Sequence, residues 1–112
     1  MNLSILKKGS HTLIKVYNGK LDALIAPDIK SELVVIVENG EKNILVDLFN
    51  CSFCDSSGMS ALLLGNRLCN GVNGKFVLCR LSPGIKEMVD LLGFETLLKI
   101  VDTEEDAVKL FV

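Results

Sequence analysis

The sequence predicts an α/β domain in which a mixed sheet of four to five strands carries about four helices, in the order ββαβαβαβα. Three observations point there. Short apolar, β-branched runs alternate with longer stretches of helical period. Gly, Asn or Pro punctuates nearly every junction between them. In one run, Asn43 to Phe49, Ile44, Leu45, Val46, Leu48 and Phe49 are apolar on both faces, interrupted only by Asp47, as in a strand at the middle of a parallel sheet covered on both sides. At 112 residues the chain reads as one domain over 1–112, and 49% apolar with 23% charged residues is ordinary globular composition.

The elements follow in order. Leu3 to Lys7 and Thr12 to Tyr17 read as strands separated by Lys8-Gly9-Ser10, which predicts a hairpin. Asn18-Gly19 closes the second. Ala26-Pro27-Asp28 opens a helix, because Pro suits a first helical position and an early acid suits the positive end of the dipole. Ile29, Leu33, Ile36 and Val37 give it one apolar face, and Asn39-Gly40 ends it. After the central strand, a helix runs from Ser56 to Asn70, stopped by Gly71 and Gly74. Lys75 to Arg80 is a further strand, and Ser82-Pro83 opens a helix through Leu92 with Gly93 as its stop. Leu97 to Val101 is a last short strand, and Thr103 with Asp106 three positions on begins a terminal helix.

Composition removes several function classes. Twelve basic against 14 acidic residues leave a formal charge of −2 without a basic block, so no nucleic-acid groove is expected. Aromatic residues are 5% and Trp is absent, which argues against base-stacking platforms. The apolar runs Leu33 to Val37 and Ala61 to Leu64 are far short of the roughly 18–20 residues that cross a bilayer, so no membrane insertion is expected. Met1 to Lys8 lacks the apolar core of a signal peptide. A cytoplasmic location follows as an expectation, with the four cysteines as thiols. The single histidine, His11, is read as an exposed polar residue in a turn. No metal or cofactor is implied, and Ser56 has no neighbouring base to make it a nucleophile. The chain reads as the substrate of an enzyme rather than an enzyme.

The informative stretch is Asn50-Cys51-Ser52-Phe53-Cys54-Asp55-Ser56-Ser57-Gly58-Met59. Asp55, Ser56 and Ser57 are all good N-caps, so a plain helix start is one reading. A helical wheel supplies another. It places Ala61, Leu64, Gly65, Leu68 and Val72 on a sheet-facing side, with Gly65 permitting close approach. Met59, Leu63, Asn66 and Asn70 fall on the opposite side, flanked by Ser60 and Arg67. Met59 and Leu63 are thus expected as an exposed apolar pair beside the Ser56 hydroxyl, a docking surface with a switch at its edge.

Several segments together resemble a known family. Gly19-Lys20-Leu21-Asp22 followed by Ala26-Pro27-Asp28-Ile29 is similar to the entry into the first helix of STAS domains of the bacterial anti-sigma factor antagonist type. Leu45-Val46-Asp47-Leu48 with Phe53-Cys54-Asp55-Ser56-Ser57-Gly58-Met59 resembles that family's central strand and phosphorylation loop. Leu81-Ser82-Pro83 and Leu91-Leu92-Gly93-Phe94 resemble its later landmarks. The resemblance implies phosphorylation of Ser56 by an anti-sigma factor that is a serine kinase. The unmodified form would bind that partner and release a sigma factor, and a serine phosphatase would reset the switch. Asp55, Ser57 and Gly58 are read as support for the loop; Met59, Ser60, Leu63 and Arg67, from the outer side of the wheel, are read as partner contacts, and Asp22 joins them because it resembles a family position near the binding surface. Asp22 is read equally as the residue that ends a turn.

Two alternatives stay open. STAS domains also serve as accessory subunits of phospholipid transport complexes and in stress-signalling assemblies, and a fold does not choose among these. Cys51-Ser52-Phe53-Cys54 is a CxxC just before a helix, where thiol–disulfide enzymes keep theirs, at positions where the family usually has aliphatic residues. Against redox chemistry, Asp55 raises a neighbouring thiol pKa, and Cys69 and Cys79 supply no second CxxC for a metal.

Overall fold

A computed structural model describes residues 3–112. Its strands are β1 (Leu3–Lys7), β2 (Thr12–Val16), β3 (Lys20–Leu21), β4 (Ile44–Asp47), β5 (Phe53–Cys54), β6 (Phe76–Cys79) and β7 (Lys99–Val101). Its helices are α1 (Ala26–Glu38), α2 (Ser56–Gly71), α3 (Pro83–Leu91) and α4 (Glu104–Val108), with a 3-10 turn at Phe94–Thr96. The main sheet has the order β1-β2-β4-β6-β7. Only β1 and β2 are antiparallel; Ile44 pairs in parallel with Thr12 on one side and Phe76 on the other. The hairpin start, the parallel crossovers and the central place of β4 are as the sequence predicts.

Strand alternation explains why β4 is apolar throughout. Ile44 and Val46, with Ile14, Val16, Phe76 and Leu78, face a core built with α1, α2 and α3 through Ile29, Leu33, Leu62 and Ile85. Leu45, with Leu13, Val77 and Cys79, faces a smaller core closed by Ala107 of α4 and by Phe111. The strand ends earlier than the pattern suggests: Phe49 lies outside it and is exposed. Leu97 likewise precedes β7 and is exposed.

The helical wheel for α2 needs correction. Met59 is only 2% exposed, and Gly58, Ala61, Leu62, Gly65 and Cys69 are buried with it. Leu64 is half-buried, and Val72 is exposed at the helix C-terminus. The buried arc is rotated by roughly 70° from the one the wheel selects, less than one residue's step. The cause is that Leu62, Leu63 and Leu64 are consecutive, so apolarity alone does not orient the helix. Packing decides, because α2 is covered by the sheet and also by α1. Gly65 does permit a close approach: a Cβ there would enter the Phe76 ring.

His11 is a second correction. It is buried, 4% exposed, with its ring stacked on Phe111 at 4.8 Å between centroids. Its Nδ1 lies 2.9 Å from the Ser10 hydroxyl, and its Nε2 lies 3.9 Å from a Glu104 carboxylate oxygen. Burial pushes its pKa down, Glu104 pushes it up less, and Lys8 adds to the lowering. The residues that bury it arrive about 100 positions later in the chain, beyond the reach of local pattern.

Candidate functional site

The segment between β4 and α2 is strapped to residues 18–21. The Ser52 N–H and hydroxyl both donate to the Gly19 carbonyl, at 2.9 and 3.3 Å. The Cys51 thiol donates to the Asn18 carbonyl at 2.9 Å. β5 pairs in parallel with β3, Lys20 opposite Phe53 and Leu21 opposite Cys54. Two residues are too few to show a strand period, so this pairing left no sequence signal. It continues as the Asp55 N–H donates to the Leu21 carbonyl at 3.1 Å.

Asp55 is the N-cap of α2, with extended backbone and its Oδ1 accepting from the Gly58 N–H at 3.0 Å. Of the three cap-competent residues, the carboxylate is the one used. The hydroxyl of exposed Ser56 is therefore not committed to ending the helix. Gly58 is buried where a Cβ would run into the Leu21 carbonyl, so glycine lets the first turn of α2 sit directly on β3.

That contact assembles the site from two distant stretches. Ser56, Ser57 and Ser60 from α2 share a cleft of about 350 Å³ with Ala23, Ala26, Pro27 and Lys30 around the start of α1. Asp22 shapes the approach to α1: its Oδ1 accepts from the Leu24 N–H at 3.0 Å, and its carbonyl accepts from the Ala26 N–H at 2.9 Å. The turn-forming role of Asp22 is thus present in the geometry. Ser56, Ser60, Leu63 and Arg67 follow one stripe of α2 at helical spacing. Ser60 and Arg67 are exposed, while Leu63 is half-buried against the core. Arg67 stands about 16 Å along the helix from Ser56. Met59 is not part of this surface, since it faces the core. Lys30 was not singled out by sequence; a lone lysine on a helix carries no signal until α1 and α2 are packed.

The remaining chemistry-bearing groups serve the scaffold. All four cysteines are buried thiols. Burial, helped by the charge of Asp47, pushes Cys51 up to about 11; burial, helped by Asp55 and then Cys51, pushes Cys54 up to about 12. Neither is poised as a thiolate, which removes the basis for dithiol chemistry. Asp47 is 3% exposed and accepts from the Phe49 N–H at 3.0 Å, from Arg80 Nε at 3.1 Å and from Arg80 Nη2 at 2.5 Å. The guanidinium also lies 4.5 Å from the centre of the Phe49 ring.

The family model for the STAS domain matches residues 3–107. The chain belongs to the STAS domain family. As a STAS domain it is 28% identical over 99 residues to BtrV of Bordetella bronchiseptica, a candidate anti-sigma factor antagonist, covering 88% of this chain and 85% of that protein. It is 27% identical over 109 residues to the anti-sigma F factor antagonist of Paenibacillus polymyxa, covering 96% and 93%. Among solved structures it resembles the anti-sigma factor antagonist SpoIIAA in its unphosphorylated form, with 23% identity, 96% of each chain covered and a TM-score of 0.77. The phosphorylated form of Bacillus SpoIIAA is similar at 22% identity, 96% and 97% coverage and a TM-score of 0.74. The structural likenesses establish the fold of this STAS domain. Within it, two of the segments that carry the sequence resemblance, 19–22 and 53–59, lie side by side through the β3–β5 pairing.

Proposed function

We propose that this STAS domain is an anti-sigma factor antagonist that binds its partner while Ser56 is unmodified and releases it once Ser56 is phosphorylated. The observation that carries the reading is the division of labour at the start of α2: Asp55 caps the helix, and Ser56 is exposed beside a cleft. The names of its relatives support the same role. In the modifying step the Ser56 hydroxyl oxygen bonds to the terminal phosphorus of a nucleoside triphosphate. The bond from that phosphorus to the leaving diphosphate breaks, and the hydroxyl proton passes to a base of the kinase. The anti-sigma factor, as a serine kinase, supplies the catalytic groups; a serine phosphatase hydrolyses the ester and resets the switch.

The partner surface consists of Ser56, Ser60 and Arg67 on the exposed stripe of α2, with the flank of Leu63 and the turn at Asp22. A phosphoryl group adds a charge of about −1.5 to −2 there. The N-terminus of α2 favours that anion by about 0.3–1 kcal/mol, so the phosphorylated protein stays folded. Covering the new charge with a partner that brings no cation costs several kcal/mol, enough to weaken binding a hundredfold or more.

The test is partner affinity for the unmodified protein, the phosphorylated protein, Ser56→Ala and Ser56→Asp, with circular dichroism as the folding control. Ser56→Ala is expected to bind constitutively. Phosphorylated protein is expected not to bind stably, and Ser56→Asp to fall between, having less charge and volume than phosphate. Equal affinity for unmodified and phosphorylated protein refutes the switch.

A further inference from the structure

Ser56 shares its cleft with a single charged side chain, Lys30 of α1. On a helix, charge partners sit three or four positions away, and for Lys30 these are Ala26, Pro27, Leu33 and Val34. None is acidic. Among the described residues the Lys30 ammonium takes part in no ion pair, as holds for most lysines of the chain; what distinguishes it is its place in the cleft with Ser56. Lys30 is also half-buried. The rest of the cleft presents the hydroxyls of Ser56, Ser57 and Ser60 and the apolar surfaces of Ala23, Ala26 and Pro27. Its volume of about 350 Å³ is that of about ten waters, room for a phosphoryl group and its hydration.

We propose that Lys30 is the counter-charge for phosphorylated Ser56: the phosphoryl group turns into the cleft between α1 and α2, where it meets the Lys30 ammonium and the Ser57 and Ser60 hydroxyls. This rests on Ser56 being the phosphoacceptor and names how that state is held. Asp55, the residue before Ser56, adds a repelling charge; its Oδ1 is engaged with the Gly58 N–H, and Lys30 offsets its repulsion. One consequence is that phosphorylation fills the cleft as well as charging the surface, so a partner element seated there is displaced by volume and by charge together. A second is that Ser56→Asp is a poor mimic, because its carboxylate stays nearer the backbone than phosphoryl oxygens do.

The experiment uses the full chain with phosphoserine encoded at position 56 and follows its phosphorus NMR shift against pH. The second ionisation of a phosphomonoester lies near pH 6, where a neighbouring cation favours the dianion. Lys30→Gln is expected to raise the phosphate pKa by about 0.5–1 unit relative to the parent. Lys30→Arg is expected to leave it near the parent value, and Lys30→Met, which keeps the aliphatic stem, to behave as Lys30→Gln does. Circular dichroism verifies each fold. Coincident titrations of the parent, Gln, Met and Arg proteins overturn the proposal. Mass spectrometry after incubation with the partner kinase tests the acceptor separately: phosphate found elsewhere than Ser56 removes the switch reading, while the NMR series still reports on Lys30.

Discussion

Replacing Arg80 by Ala isolates the most buried carboxylate–guanidinium pair among the described residues. Asp47 sits at the end of the central strand with its side chain 3% exposed, whereas the Arg80 side chain is 39% exposed. The two partners are therefore unequal. An orphaned guanidinium at that position rehydrates; an orphaned Asp47 carboxylate keeps only the Phe49 N–H. Breaking a buried pair from the exposed side costs about 3–5 kcal/mol, and the partial hydration of this one points to the lower end. Loss of the contact with the Phe49 ring adds about 0.5–1 kcal/mol, for a total of about 3–4 kcal/mol. Backbone geometry supplies an internal control. Arg80 has a φ of 57°, in the left-handed region where a Cβ is unfavourable by about 1–2 kcal/mol. Arg80→Gly loses the same ion pair but is relieved of that term, so it is expected to be about 1 kcal/mol more stable than Arg80→Ala. Asp47→Asn, which removes the buried charge and keeps an acceptor, is expected to cost about 1–2 kcal/mol. Urea denaturation at pH 7 measures all three, with unchanged m-values showing that the same unfolding is compared. A loss below about 1 kcal/mol for Arg80→Ala refutes the reasoning, because the pair then contributes no more than a surface ion pair does.

Leu62 is fully buried and Leu64 half-buried, so Leu62→Ala is expected to cost about 2–5 kcal/mol and Leu64→Ala clearly less; equal losses in denaturant titrations contradict the orientation of α2 described above. A thiol pushed up to about 11, as at Cys51, is ionised to about one part in a thousand at pH 8, so Ellman's reagent should find no rapidly reacting cysteine in the native protein and four on denaturation. His11 is held below the ordinary 6.5, which means the unfolded chain takes up its proton first as pH falls. This contribution leaves stability unaffected well above pH 6.5, lowers it as pH drops from there towards the folded pKa, and levels off below that. Proton NMR of the single imidazole should show the depressed titration; a native pKa at or above 6.5 excludes this account.

Much of the fold was legible because its signals are local. Pro27 and Pro83 open α1 and α3, and Ser82 and Thr103 cap α3 and α4 through hydroxyls that accept the Ile85 and Asp106 N–H groups at 3.3 and 3.1 Å. The two-faced apolarity of residues 44–48 placed the central strand. The wheel of α2 failed where three leucines run together, and β3 with β5 escaped notice because two residues have no period. The candidate site was half legible. Asp55-Ser56-Ser57-Gly58 stands as a contiguous motif, whereas the wheel puts Met59 on the wrong side and nothing local marks Lys30.

The sequence by itself determined the order of the main-sheet strands and the four helices, the α/β class, the family and the serine at the head of the second helix, since each depends on residues close together in the chain or on motifs in fixed order. Only the tertiary structure decided which cap-competent residue ends the helix, which arc of α2 is buried, what covers His11 and which cation shares a cleft with Ser56. These depend on pairs far apart in the chain: Leu21 with Gly58, Phe76 with Gly65, Phe111 with His11, Lys30 with Ser56. A local pattern states that a side chain is apolar or charged; what it touches is settled by steric fit when the elements pack, and that fit has no signature within a single segment.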